Sequence, residues 1–226
     1  MGPCKFVRRA YHKDMDVSRQ QNETARTERG PRARTRKLML ETATRLMQSG
    51  ITPSVSEVAE AAEVSRATAY RYFPSQAALV HAVVDEALGP ILGWSCDSPD
   101  ARARVADLLA TAMPRIDEFE ATFKAALKLS LDQWAQRQAG TLGNEPLFTR
   151  GHRVDLLRCV TAPLQGTVPP EARERLAQAL SLVFGVEALI VLKDIWGLTS
   201  EGAQSVAEWA AKALVDSALR QAEGRA

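Results

Sequence analysis

Apolar positions recur at three- and four-residue intervals along most of this chain, and strand-like alternation of β-branched residues is absent. The pattern predicts an all-α fold of about nine helices. The first covers 34–48, with Leu38, Met39, Thr42, Ala43 and Leu46 on one face, and Gly50 closes it. Pro53 and Ser54 open the second. There Ser54-Val-Ser-Glu57 reads as a capping box, in which the serine hydroxyl accepts from an amide three residues on and the glutamate reaches back. Val55, Val58, Ala59 and Ala62 follow at i, i+3, i+4 and i+7. Ser65 caps a third short helix over 66–73. Ser75, after Pro74, caps a fourth that carries Leu79, Ala82, Val83 and Ala87.

Gly89 and Pro90 end this run, and 93–99 reads as the boundary to a second unit. A helix is expected over 99–113, then a longer one opened by Pro114 and reaching 138. Its inner face is expected to hold Phe119, Phe123, Leu127, Ser130 and Trp134. A loop over 140–146, a helix over 152–164 and a turn over 166–169 come next. A long helix over 170–195 is apolar nearly all round between 180 and 192, which implies burial on more than one side. The last, over 200–221, aligns Val206, Trp209, Ala210, Ala213, Leu214 and Ser217 in one stripe.

With 226 residues, 46% of them hydrophobic and 25% charged, the chain has room for one large domain or two small ones. No apolar run reaches the ~18 residues that cross a bilayer, and no apolar signal core follows the N-terminal charges. A cytoplasmic protein without a membrane partner is therefore expected. Cys4, Cys96 and Cys159 lie too far apart for a metal site or a disulfide framework. His12, His81 and His152 have no metal-ligand spacing, and neither a phosphate loop nor a nucleophile elbow is present. An enzyme reading finds no chemistry to use, and no cofactor is expected.

Net charge is only +2, but it is unevenly spread. Residues 1–37 hold 11 Lys and Arg against 4 Asp and Glu, net +7, while the remaining 189 hold 18 against 23, net −5. The cluster at 29–37 abuts the short helices, as a nucleic-acid-binding arm does.

Two short helices joined by a tight turn describe a helix-turn-helix, whose second helix enters the major groove of double-stranded DNA. Residues at its start must be small or polar enough to approach base edges, and Arg66, Ala67 and Thr68 satisfy that. Tyr70 and Tyr72 follow at a spacing that turns their hydroxyls toward flanking phosphates. The ends capped by Ser54 and Ser75 offer backbone N–H groups to the same phosphates.

Val58-Ala59, Val64-Ser-Arg-Ala-Thr68, Tyr70-Arg-Tyr-Phe73, Ser75 and Leu79 together resemble the tetracycline-repressor (TetR) family of bacterial transcription regulators over roughly 35–88. The resemblance implies a third helix that reads an operator, with Arg66, Ala67, Thr68 and Tyr70 facing bases or adjacent phosphates. Ser54, Tyr72 and Gln76 would hold the backbone, and Arg34, Ser65 and Arg71 complete the expected DNA-binding set. It also implies a palindromic operator, a repressor and a small-molecule effector that releases it. A homodimer is expected through the last two helices, where the apolar 180–192 sheath and the Trp209 stripe need a partner. The implied organisation is a basic arm at 1–33, a DNA-binding domain at 34–88 and an effector-binding and dimerisation domain at 89–226.

The candidate effector residues are Phe119, Phe123, Leu127 and Trp134 on one helix and Val183 and Glu187 on another, with Leu176, Leu180 and Ile190 beside the latter. Arg153 or His152 is expected to pair with Glu187 when the site is empty. The sequence departs from the family at two places: Glu63 stands where a glycine is usual in the turn, and Gln76 where a lysine is common. Both departures suggest the alternative, an all-helical interaction or ligand-binding protein that no longer binds DNA specifically.

Overall fold

A computed structural model describes residues 30–224. Nearly all of the expected basic arm lies outside them. The described residues form ten α-helices and no β-strand, and they divide into two compact units.

The first unit combines residues 30–86 with Ala121–Thr149. It contains α1 (Pro31–Gln48), α2 (Val55–Ala61), α3 (Arg66–Tyr72), most of α4 (Gln76–Leu88) and, from further along the chain, all but the first residue of α6 (Glu120–Gln138). Proline at the first helical position, where its missing N–H costs nothing, starts α1 three residues earlier than the apolar pattern suggests. Met39, Ala43, Met47, Val58, Ala59, Ala69, Leu79, Val80 and Val83 are fully enclosed and form the core. Each large side chain among them contributes about 1.5–3 kcal/mol by leaving water. Leu38, expected on the inner face of α1, is exposed.

The second unit combines Ala87–Glu120 with the chain from Arg150 onward. After a 3₁₀ turn (Gly89–Gly93) it holds α5 (Ala101–Glu118), α7 (His152–Thr161), α8 (Pro170–Leu180), α9 (Val186–Leu189) and α10 (Ser200–Glu223). A π-helical turn (Ile190–Ile195) continues α9. Ala203, Ala207, Ala211 and Val215 of α10 are buried at four-residue steps, a ridge of small side chains that lets α10 lie close along α5. The facing side of α5 is Val105, Leu108, Leu109, Ala112, Met113 and Ile116. Lys193, in the π turn, is tied to Asp117 at 2.5 Å and Glu120 at 2.6 Å.

Three expectations are corrected. Pro114 lies inside α5 instead of opening a new helix, and the break comes at Phe119. The carbonyl that Pro114 cannot serve belongs to Ala110, and both residues are on the exposed face, where water can satisfy it. On α6 the buried positions are Thr122, Phe123, Ala125, Ala126, Leu129 and Gln133, so the inner stripe sits one residue earlier than expected and Trp134 is 56% exposed. The single long helix over 170–195 is broken at 181–185, where Gly185 takes φ +107°, a conformation open to glycine and costly for other residues.

Candidate nucleic-acid interface

The helix-turn-helix is fixed by local polar bonds. The Ser54 hydroxyl accepts from the Glu57 N–H at 3.2 Å, and the Ser54 N–H donates to Glu57 Oε2 at 2.7 Å, which completes the expected capping box. The backbone N–H of Ser54, with its hydroxyl, holds the Glu57 carboxyl below the usual carboxylate range. At the other end of α2 the chain turns through Glu63 at φ +54°, the left-handed conformation that the family's usual glycine takes without strain. Val64 N–H reaches Ala59 O at 2.8 Å and Glu63 N–H reaches Glu60 O at 3.1 Å, the paired bonds of a Schellman motif. The turn therefore keeps its geometry despite the substitution, and Glu63 bears the strain.

Ser65 then caps α3: its hydroxyl accepts from the Thr68 N–H at 3.2 Å and donates to Thr68 Oγ1 at 2.9 Å. Arg66 and Ala67 are exposed in the first turn, while Ala69 and Phe73 are buried and anchor the helix. Tyr70 is 47% exposed, and its hydroxyl lies 3.3 Å from Ser56 Oγ on α2. That pairing fixes the phenol across the two helices. Arg71 is exposed with its guanidinium 5.7 Å from the ring centre of half-buried Tyr72. Arg36 of α1 sits 5.6 Å over the Phe73 ring and ties the basic start of α1 to the end of α3; Arg34, two residues earlier, is exposed. Sequence reasoning placed Arg36 only within the basic 29–37 cluster and missed Ser56; the contacts of both depend on partners outside their own helices.

Gln76 is engaged within the protein. Its side-chain amide donates to Thr52 O at 3.1 Å and Pro53 O at 3.2 Å, and its N–H donates to Glu145 Oε1 at 3.1 Å. Ser75 Oγ accepts the Ala78 N–H at 3.1 Å and completes the cap of α4.

The family model of bacterial regulatory proteins, tetR family, matches residues 39–83, which run from the middle of α1 through most of α4. The chain carries the N-terminal domain of the tetR family. The match is to a domain of bacterial regulatory proteins and covers about a fifth of the chain. The crystal structure of a TetR transcriptional regulator from Rhodococcus sp. RHA1 has the same fold, with 21% identity and a TM-score of 0.53 over 82% of this chain and 97% of that one. No curated protein matches the chain.

Outside the TetR domain match, the candidate effector residues divide between the two units. Phe123 is buried, Leu127 half-buried and Trp134 exposed in the first. Phe119, His152, Arg153, Val183 and Glu187 belong to the second, where Phe119 lies 4.7 Å below the Arg115 guanidinium. Glu187 is paired with Arg153, as the sequence suggests, and also with Arg150 at 2.5 Å. Burial alone would raise the Glu187 carboxyl, but the hydrogen bond and charge of Arg153 and the charge of Arg150 outweigh it, so its pKa lies below the usual carboxylate range. Arg150 was not a sequence candidate: it follows a loop and has no periodic signal. Among the described residues no cluster of His, Cys, Asp and Glu could hold a metal ion, and no helix is long and apolar enough to cross a membrane.

Proposed function

We propose that the chain is a cytoplasmic homodimeric repressor that grips a palindromic operator through α3 and releases it when a small molecule binds the second unit. The observation that carries the DNA reading is the exposed first turn of α3, with Arg66 and Ala67 outward on a helix anchored by Ala69 and Phe73. Arg66 is the one long, forked donor of that turn, suited to a bidentate bond with guanine. In this reading Ala67 and Thr68 approach neighbouring bases. Arg34, Ser54, Ser65, Tyr70, Arg71, Tyr72 and the Gln76 end of α4 serve the phosphates.

The dimer reading is supported by apolar side chains that the second unit leaves in water. Leu182 is 77% exposed, and Ile195, Trp196 and Trp209 are each 73% exposed, with Val206 also exposed. A second copy covering them would set two recognition helices on successive turns of a duplex, ~34–36 Å apart. For the effector, the Arg150–Glu187–Arg153 cluster supports a polar anchor for a ligand that competes for either charge. Retention of fragments from the source genome, with light scattering on the free protein, tests the reading. An enriched inverted repeat and a dimer are expected. A monomer that enriches no sequence would replace this reading with a helical interaction protein.

A further inference from the structure

The first unit contains a segment that base or phosphate contact does not explain. After α6 ends at Gln138, the chain returns onto α4 and is strapped there. Gln133, 3% exposed, spends both ends of its amide on the segment: Nε2 donates to Pro146 O at 3.0 Å, and Oε1 accepts the Phe148 N–H at 2.7 Å. The Phe148 ring is buried, its centre 4.4 Å from that of His81 on α4, and the Thr149 N–H donates to His81 Nε2 at 3.2 Å. A buried glutamine and a buried aromatic thus fix the strap in register.

That register delivers Glu145 to one position, the first amide of the thirteen-residue α4. Gln76 N–H donates to its carboxylate at the positive end of the helix dipole, while Ser75 takes the Ala78 amide. On the DNA-binding reading above, on which this inference rests, this helix end faces a phosphate. A phosphate oxygen and Glu145 cannot both accept the same N–H. We infer that Glu145 is a built-in competitor for the operator backbone: the strap caps α4 with a carboxylate in place of a phosphate and holds the domain in a lower-affinity form. Tight binding requires that carboxylate to swing away. The strap is then a site where anything that loosens residues 139–149 strengthens DNA binding.

The full chain, titrated with a duplex retained from genomic fragments, tests this. Glu145→Ala is expected to tighten binding about tenfold, the scale of one charge-assisted hydrogen bond freed for phosphate. Glu145→Gln, which keeps an acceptor but loses the charge, should give a smaller gain in the same direction and serves if the alanine variant folds poorly. Glu60→Gln removes an exposed carboxylate from α2 of the same domain and should change affinity less than twofold. Hydrogen exchange at the Gln76 amide should quicken in free Glu145→Ala and slow again with duplex bound. A cap with only a structural role gives Glu145 variants with wild-type or weaker affinity, and that result overturns the inference. So does an equal gain from Glu60→Gln, which would reduce the effect to general repulsion. If wild type and every variant fail to bind any duplex, the DNA-binding reading itself falls, a different outcome from binding that is unchanged by substitution.

Discussion

The helix-turn-helix and the second unit are held together in different ways. In the helix-turn-helix, the bonds that cap the helices and set the turn span three to five residues: Ser54 with Glu57, Ser65 with Thr68, Val64 with Ala59. In the second unit they join distant parts of the chain. Arg102 pairs with Asp216, Arg158 with Glu174 at 2.8 Å, Lys193 with Asp117 and Glu120, and Arg150 and Arg153 with Glu187. Local bonds define the shape of the small surface proposed to meet a duplex. Long-range pairs and an alanine ridge align long helices whose outer face remains open to a partner. The first arrangement suits the proposed reading surface on a short helix, and the second the alignment of long helices.

The largest way to break this contrast is to hollow the second unit. Leu108→Ala, at a side chain with no exposure on the α5 face beneath α10, should cost about 2–5 kcal/mol in urea unfolding. It should leave the first turn of α3 intact, so operator preference is unchanged wherever the protein remains folded. Arg66→Ala should do the opposite. It should cost about 1–3 kcal/mol of binding per half-site, relax the preference at one base position and leave the melting temperature unmoved, as binding to a panel of operator variants would register. Glu63→Gly relieves the left-handed strain and should stabilise the protein by about 1 kcal/mol, seen as a rise in the urea midpoint. A lower midpoint would mean that the Glu63 side chain contributes a bond worth more than the strain.

Acid gives the smallest and broadest test. Asp117, Glu174 and Glu187 in the second unit are each held below the ordinary carboxylate pKa. Burial acts against Asp117 and Glu187 but is outweighed by Lys193 and Ser200 in the one case and by the arginines in the other; for Glu174, Arg158 is the main cause. A carboxyl with a depressed folded pKa contributes stability that is present above its unfolded value and lost as pH falls through the folded one. Stability should therefore decline below about pH 4.5, with most of the loss in the second unit. Trp134 reports on the first unit and Trp94, Trp196 and Trp209 on the second, so tryptophan-replacement variants can separate the two. Lys193, raised by its bonds to Asp117 and Glu120, contributes fully at neutral pH and loses its contribution only above the ordinary lysine range.

The same contrast explains how much could be read from the chain. The capping box, the Ser65 cap and the exposed Arg66 follow from residues within a few positions of one another, and residue type identifies them; the turn at Glu63 was marked only by the family's usual glycine, and its strain shows in the backbone angle. Helix existence was legible too, because periodicity needs only a dozen residues. Boundaries in the second unit were not. Pro114 signals a helix start unless its orphaned carbonyl faces water, and Gly185 in an apolar run signals a break only if its φ is known. The α6 stripe was misplaced by one residue because Phe123 fits both registers and Trp134 is apolar wherever it points. Arg150, Glu145 and the Gln133 clamp had no local signal: each acquires its meaning from a partner across the fold. The candidate effector residues are in the same position, since Glu187 was sought with Arg153 or His152, and the structure pairs it with Arg153 and Arg150.

The central claim, a sequence-reading surface on α3, is tested most directly by measuring affinity for a genomically selected duplex and for an unrelated duplex of equal length across a range of salt. The account predicts that the selected duplex binds at least a thousandfold more tightly at physiological salt, and that both affinities fall linearly in log–log form as phosphate contacts release their counterions. Equal affinity for the two duplexes, or binding that salt leaves unchanged, would contradict it.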